Sequence, residues 1–199
     1  GGVAGTFGGN VSANNGAQIV VDGADALITN GASTSTTDTQ GGGNIHVHKD
    51  TGKFTLIAGT VSNGTAISGG NIMMEAGELK IDGGSIIGGQ ADNGGNIRLA
   101  GSSRISTSAG VISGGLAKKI VTVDNGDGTT TENTVWGSGG NIYANAQSIF
   151  ALNGVSITAG EAGNGGNIYL ADDVTIESFV AQITGGTAAN GGSIYALTA

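Results

Sequence analysis

The chain has 199 residues, 41 of them glycine, with no proline or cysteine, 38% hydrophobic residues and a formal net charge of −8. Seven lysines and arginines against fifteen acids leave no basic patch for nucleic-acid phosphates or an anionic membrane surface, and without cysteine there are no disulfides or thiolate metal sites. No apolar stretch approaches the ~18 residues that span a bilayer, and short alternating runs of Ile, Val and Leu set the chain apart from glycine-rich disorder.

The chain opens on repeat-like Gly1-Gly2-Val3 with no charged head and apolar run of a signal peptide, so it is read as a processed or excised piece of a longer precursor. Its acidic, cysteine-free, Gly/Thr/Asn/Ser-rich makeup fits the outside of a cell. From residue 8 onward, Gly-Gly-Asn followed by Ile or Val recurs, with its Asn at Asn10, Asn44, Asn71, Asn96, Asn141 and Asn167, and Gly191-Gly192-Ser193-Ile194 is a seventh copy. The successive steps are 34, 27, 25, 45, 26 and 26 residues, a unit of about 26 with two insertions. A period in the twenties marks a solenoid.

Each unit carries three period-2 runs separated by Gly, Asn, Asp or Ser, for example Ile168-Tyr169-Leu170, Val174-Thr175-Ile176 and Ala181-Gln182-Ile183. Nothing has helical spacing. The expected fold is therefore all-β: one parallel β-helix over 1–199, a three-strand-per-turn β-solenoid of about seven rungs, with strands stacked at ~4.8 Å. In the first strand, Val11, Ile45, Ile72, Ile97, Ile142, Ile168 and Ile194 should point inward, as should the residues two further on. The intervening column should face outward: Ser12, His46, Met73 and Arg98, then the surface ladder Tyr143, Tyr169 and Tyr195. The six asparagines follow a Gly-Gly corner, where Asn tolerates left-handed geometry and its amide can bond the copies above and below.

The first insertion, residues 31–41, is Ser/Thr-rich without large apolar side chains and is expected as a flexible loop. His46 and His48 lie two apart on one strand face, a spacing that can hold a metal, with Asp50 joining only if the strand runs on past Lys49. The second insertion, 116–138, places two β-prone runs around Asp124-Asn125-Gly126-Asp127-Gly128 and reads as a projecting hairpin. That turn lacks the acidic spacing and distal Glu of a calcium loop. The hairpin holds the only Trp and the only adjacent lysine pair, making Lys118, Lys119 and Trp136 the candidate lateral contact.

The remaining acids (Glu75, Glu78, Asp82, Asp92, Asp172, Asp173, Glu177) are spread along corners and strands, and no Gly-x-Ser-x-Gly elbow or phosphate loop occurs. No catalytic, cofactor-binding or metal residue is expected. The chain stops after one strand of a rung, so Gly1, Gly2 and Val3 at one end and Ile194, Tyr195, Ala196 and Leu197 at the other are the candidate end-to-end contact.

The string Asn164-Gly165-Gly166-Asn167-Ile168-Tyr169 and its copies resemble the Gly-Gly-Asn-Ile repeats of bacterial cell-surface parallel β-helix proteins of the adhesin and haemagglutinin-like kind. The resemblance covers nearly the whole chain and implies a secreted surface architecture. The expected role is a structural subunit that stacks head to tail on copies of itself, with a rigid adhesin stalk or passenger segment as the alternative.

Overall fold

A computed structural model of the chain describes residues 1–49, 51–145 and 147–197. The described residues contain no helix and pair as several parallel sheets. The Gly-Gly-Asn-Ile copies form a seven-stranded parallel sheet: Val11–Ala13, Ile45–Val47, Ile72–Met74, Ile97–Leu99, Ile142–Ala144, Ile168–Leu170 and Ile194–Ala196. Its register sets Ile45 on Ile72, Ile72 on Ile97, and so on through Ile168 on Ile194. Like residues thus pile on like.

A second column runs through residues 18–21, 53–56, 77–81, 103–107, 149–152 and 175–180, and a third through 27–29, 60–62, 85–87, 111–113, 156–158 and 182–184. A feature absent from the three-strand expectation is a fourth, short ladder of bridges linking Val3, Ala32, Thr65, Gln90, Leu116, Glu161 and Thr187 in turn. It occupies the corner just before each Gly-Gly-Asn.

The core lies between the columns. Ile45, Ile72, Ile97, Ile142 and Ile168 are fully buried, and with Phe54, Leu79, Ile105 and Phe150 from the second column and Val61, Ile86, Ile112 and Ile157 from the third they form one apolar cluster. Each such side chain contributes about 1.5–3 kcal/mol on burial.

The corners work differently from expectation. None of the six ladder asparagines has positive φ; the first glycine of each Gly-Gly pair takes the left-handed conformation instead, as at Gly94 (φ +64°). The second glycine is needed for space, since a Cβ on Gly95 would overlap the backbone of Leu116 and the carbonyl of Gly140. The asparagines are thereby left free to act through their side chains.

The outward column is also corrected. Tyr143, Tyr169 and Tyr195 are partly exposed, but His46 and Met73 are fully buried and Arg98 is only 6% exposed. Residues folded over the column from elsewhere in sequence cause this. Phe7 stacks flat on His46 (centroids 4.5 Å apart, planes at 10°), and Asp38 comes to 3.7 Å from the Arg98 guanidinium. Residues 31–41 begin with the bridge strand Ala32–Ser33, the Ser33 hydroxyl donates to the Thr6 carbonyl (2.8 Å), and Thr34 N–H donates to Ala4 (2.9 Å).

Candidate functional site

The asparagine ladder is a continuous side-chain chain. Each Nδ2 donates to the Oδ1 of the next copy at 2.7 Å, from Asn10 to Asn44, Asn71, Asn96, Asn141 and Asn167. The second Nδ2 proton goes to a carbonyl closing the third column (Thr29, Ser62, Ile87, Ser113, Thr158 or Thr184). Each Oδ1 also accepts a backbone N–H from the corner before it: Gly2, Gly31, Gly64, Gly89, Gly115 or Gly160. The ladder therefore sews the end of the third column to the start of the first.

On the outer side of the first column the register creates a second stack. Tyr143 lies on Tyr169 (4.8 Å, 8°), Tyr169 on Tyr195 (5.7 Å, 14°), and the Arg98 guanidinium carbon sits 5.0 Å from the Tyr143 centroid. Arg98 is fixed by a 2.8 Å bond from Nη1 to the Ser68 hydroxyl. Met73 separates Arg98 from His46 in register, and Phe7 closes the stack over His46.

Beside Phe7 the side chains of His46, His48 and Glu75 converge. His46 Nε2 is 3.1 Å from Glu75 Oε1 and His48 Nε2 is 3.6 Å from Oε2. Burial, with the neighbouring His48 second, pulls the His46 pKa down to about 4. Burial also pushes the Glu75 carboxyl above its ordinary value, against the opposing influence of His48 and Lys49. A cleft of about 470 Å³ opens between Phe7, Thr39 and Gln40 on one side and His48, Glu75 and Asn145 on the other.

Glu75 escaped the sequence reading because it was counted among scattered acids, yet its place was legible. The 27-residue step from Asn44 to Asn71 maps His48 onto Glu75, and Glu75 N–H donates to the Val47 carbonyl at 3.0 Å. Asp50, the alternative third group, lies outside the described residues. Among the described residues no group of three or more His, Cys, Asp or Glu side chains is arranged to hold a metal ion.

The other acids alternate with cations on the outer face of the second column. Lys53 meets Glu78 at 2.7 Å, Lys80 meets Asp82 at 2.6 Å, and Arg104 meets Glu177 at 2.7 Å. These bonds hold Glu78, Asp82 and Glu177 below the usual carboxylate range.

In the second insertion, Leu116–Asp124 and Thr130–Trp136 pair antiparallel, and Lys118 lies opposite Trp136. Trp136 is 44% exposed, Lys119 lies 3.6 Å from Asp92, and the turn is closed by Asp124 and Asp127 accepting from the N–H groups of Gly126 and Thr129. Lys118, Lys119 and Trp136 are therefore together at the hairpin's base. The two candidate end groups are far apart in the sheet order: Val3 pairs with Ala32 in the first bridge, whereas Ile194, Tyr195 and Ala196 form the last strand of the seven-stranded sheet. Gly2 N–H caps the asparagine ladder and Leu197 N–H donates to Leu170 (2.9 Å); Gly1 packs closely against Asn30.

No family model, curated protein or solved structure matches the chain.

Proposed function

We propose that this chain is a parallel β-solenoid structural module of the cell exterior, about seven turns of three strands and a short corner bridge, whose copies stack end to end into a filament or surface fibre. The observation that carries this reading is the pair of apolar end faces. At one, the inward-facing Ile19, Val21 and Ile28 of the outermost strand are only partly buried; at the other, the inward-facing Ile176, Phe179 and Ile194 are 50%, 38% and 39% exposed. These residues belong to the outermost strands of the parallel sheets, whose outer edges have no strand partner among the described residues. An unpaired edge is a template for another strand, and a head-to-tail contact between unlike faces does not close on itself. The acidic, cysteine-free composition and the resemblance to bacterial surface repeats support the extracellular setting.

One observation favours the second reading, a rigid stalk or passenger segment of an adhesin. Among the described residues the first column holds seven strands and the second and third hold six each. Stacking copies in register along the first column leaves the other two a strand short at the joint. Negative-stain microscopy of the purified chain separates the readings: long rods that lengthen with concentration support stacking, whereas discrete particles about 30–35 Å long, seven strand spacings, support the stalk.

A further inference from the structure

His46 is fully buried, and neither of its ring nitrogens has a hydrogen-bond partner. A neutral imidazole always carries one N–H, so either tautomer leaves a donor unsatisfied. The carboxylate of Glu75 is 3.1 Å from Nε2, yet the two are not aligned as a hydrogen bond. What keeps water away is a cover from remote sequence: Phe7 stacked on the ring, with Ser33, Thr34 and Asp38 of the 31–41 segment tied to Thr6, Ala4 and Arg98.

We propose that Phe7 and residues 34–41 form an acid-released clasp over the first column, with His46 as the proton-sensing group beneath it.

At neutral pH the uncharged ring packs between Phe7 and Met73 and the clasp is closed. A proton added to His46 creates a cation that cannot be hydrated under the Phe7 ring. The charged groups around it decide whether it is tolerated. Just past its own strand, His48 lies 5.6 Å away, ring to ring; just past the next strand, Glu75 is the nearest counter-charge among the described residues; beyond Met73 stands the Arg98 cation, paired with Asp38 of the cover. Lys49 acts on Glu75 and weakens its pull on the imidazolium. Because burial raises the Glu75 pKa, that counter-charge is lost in the acid range where it is needed. Phe7 can lift by breaking the Thr6–Ser33, Ala4–Thr34 and Arg98–Asp38 contacts while Gly31 stays bonded to Asn44 and Ser33 N–H to Thr65, so hydrating His46 precedes unfolding of the columns. Opening exposes His46, Met73 and Arg98 in line with the tyrosine stack.

The test is amide hydrogen exchange of the whole chain at pH 7.5, 5.5 and 4.5, corrected for intrinsic rates. The probes are Gly8, which bonds Gly41, and Thr34, which bonds Ala4, read against core amides such as Ile97, which bonds Asn141. At least tenfold loss of protection at Gly8 and Thr34 by pH 4.5, with Ile97 remaining the more strongly protected amide at every pH, is the expected result. His46→Phe, which keeps the stack and removes the proton site, should retain protection at all three values. Loss of protection in His46→Phe equal to wild type, no loss in wild type, or protection at Ile97 falling to the level of Gly8 and Thr34 overturns the proposal. Should His46→Phe not fold, the His46 ring resonances decide: a titration midpoint matching the loss of protection supports the clasp, and a different midpoint overturns it.

Discussion

Asn96 shows how much a single residue carries. Its buried amide donates to Asn141 and Ser113 and accepts from Asn71 and Gly89, all between 2.7 and 2.8 Å. Asn96→Ala strands four partners in a dry corner and should destabilise by about 3–5 kcal/mol in urea melts. Asn10→Ala, at the exposed end of the ladder, should cost about 1 kcal/mol. Arg98, expected on a solvated face, is instead covered, so Arg98→Asp places an unpaired carboxylate beside Asp38 and should approach the damage of Ile97→Asp in the same melts. His46 gives the pH dependence. Above about pH 6.5 it is neutral folded or unfolded; below that the unfolded chain takes up the proton first, and the folded chain follows only near 4. Stability is therefore lost as pH falls from about 6.5 to about 4, by up to about 3 kcal/mol, less where lifting the clasp becomes cheaper. Glu75 opposes this, since its penalised form is the ionised one and acid relieves it. The depressed carboxylates Glu78, Asp82 and Glu177 contribute stability that is full above the ordinary carboxylate range and is lost as pH falls through it toward their lower folded values, from the foot of the His46 window downward. Urea midpoints against pH should lose their slope between 6.5 and 4 in His46→Phe.

At the scale of elements, the strand columns were legible because the chain repeats itself and an alternating Ile-x-Leu run has one way to bury its apolar side. Ile97 and Leu99 inward, with Tyr143 and Tyr169 outward, follow from that pattern alone. The covered half of the outer column was not legible. Its cover comes from Phe7 and a Ser/Thr-rich segment that belong to no repeat, and burial of His46 and Arg98 depends on contacts no periodicity records. The fourth bridge ladder escaped notice for a related reason: one or two paired residues at each step are too short to alternate. The hairpin tests whether an insertion matters to the columns. Gly137 N–H bonds the Ala117 carbonyl at 2.9 Å, and between them the strands pair mainly with each other. Replacing 118–136 by Asn-Gly should leave the thermal midpoint within about 3 °C of wild type, since little buried area is removed. A larger drop by calorimetry would assign a structural role to the Lys119–Asp92 contact and to the groove that Trp136 lines with Ala162, Ala188 and Ala189.

For the molecule as a whole, the end faces decide between a fibre and a stalk, and strand polarity says which amides matter. Ile142 and Ile168 send their N–H groups forward, to the carbonyls of Asn167 and Ser193 in the following strand. Alternation along an extended strand then puts the amides of Ile194 and Ala196 on the outer side of the last strand, while Tyr195 faces back into the sheet. A proline at Tyr195 would damage the sheet it ends; at Ala196 it removes a donor offered to an incoming strand and sets a ring in its path. The asparagine ladder cannot cross the joint unaided, because Ser193 stands where an asparagine would continue it. End-to-end cohesion must then come from the first-column edge and from the free face of Tyr195 beyond its contact with Tyr169. Ala196→Pro should therefore abolish long rods in negative stain while the β circular dichroism stays at wild-type intensity, and Ala196→Gly should leave rods intact. Rods of normal length from Ala196→Pro would mean that copies are not joined along this column, and the stalk reading would take its place.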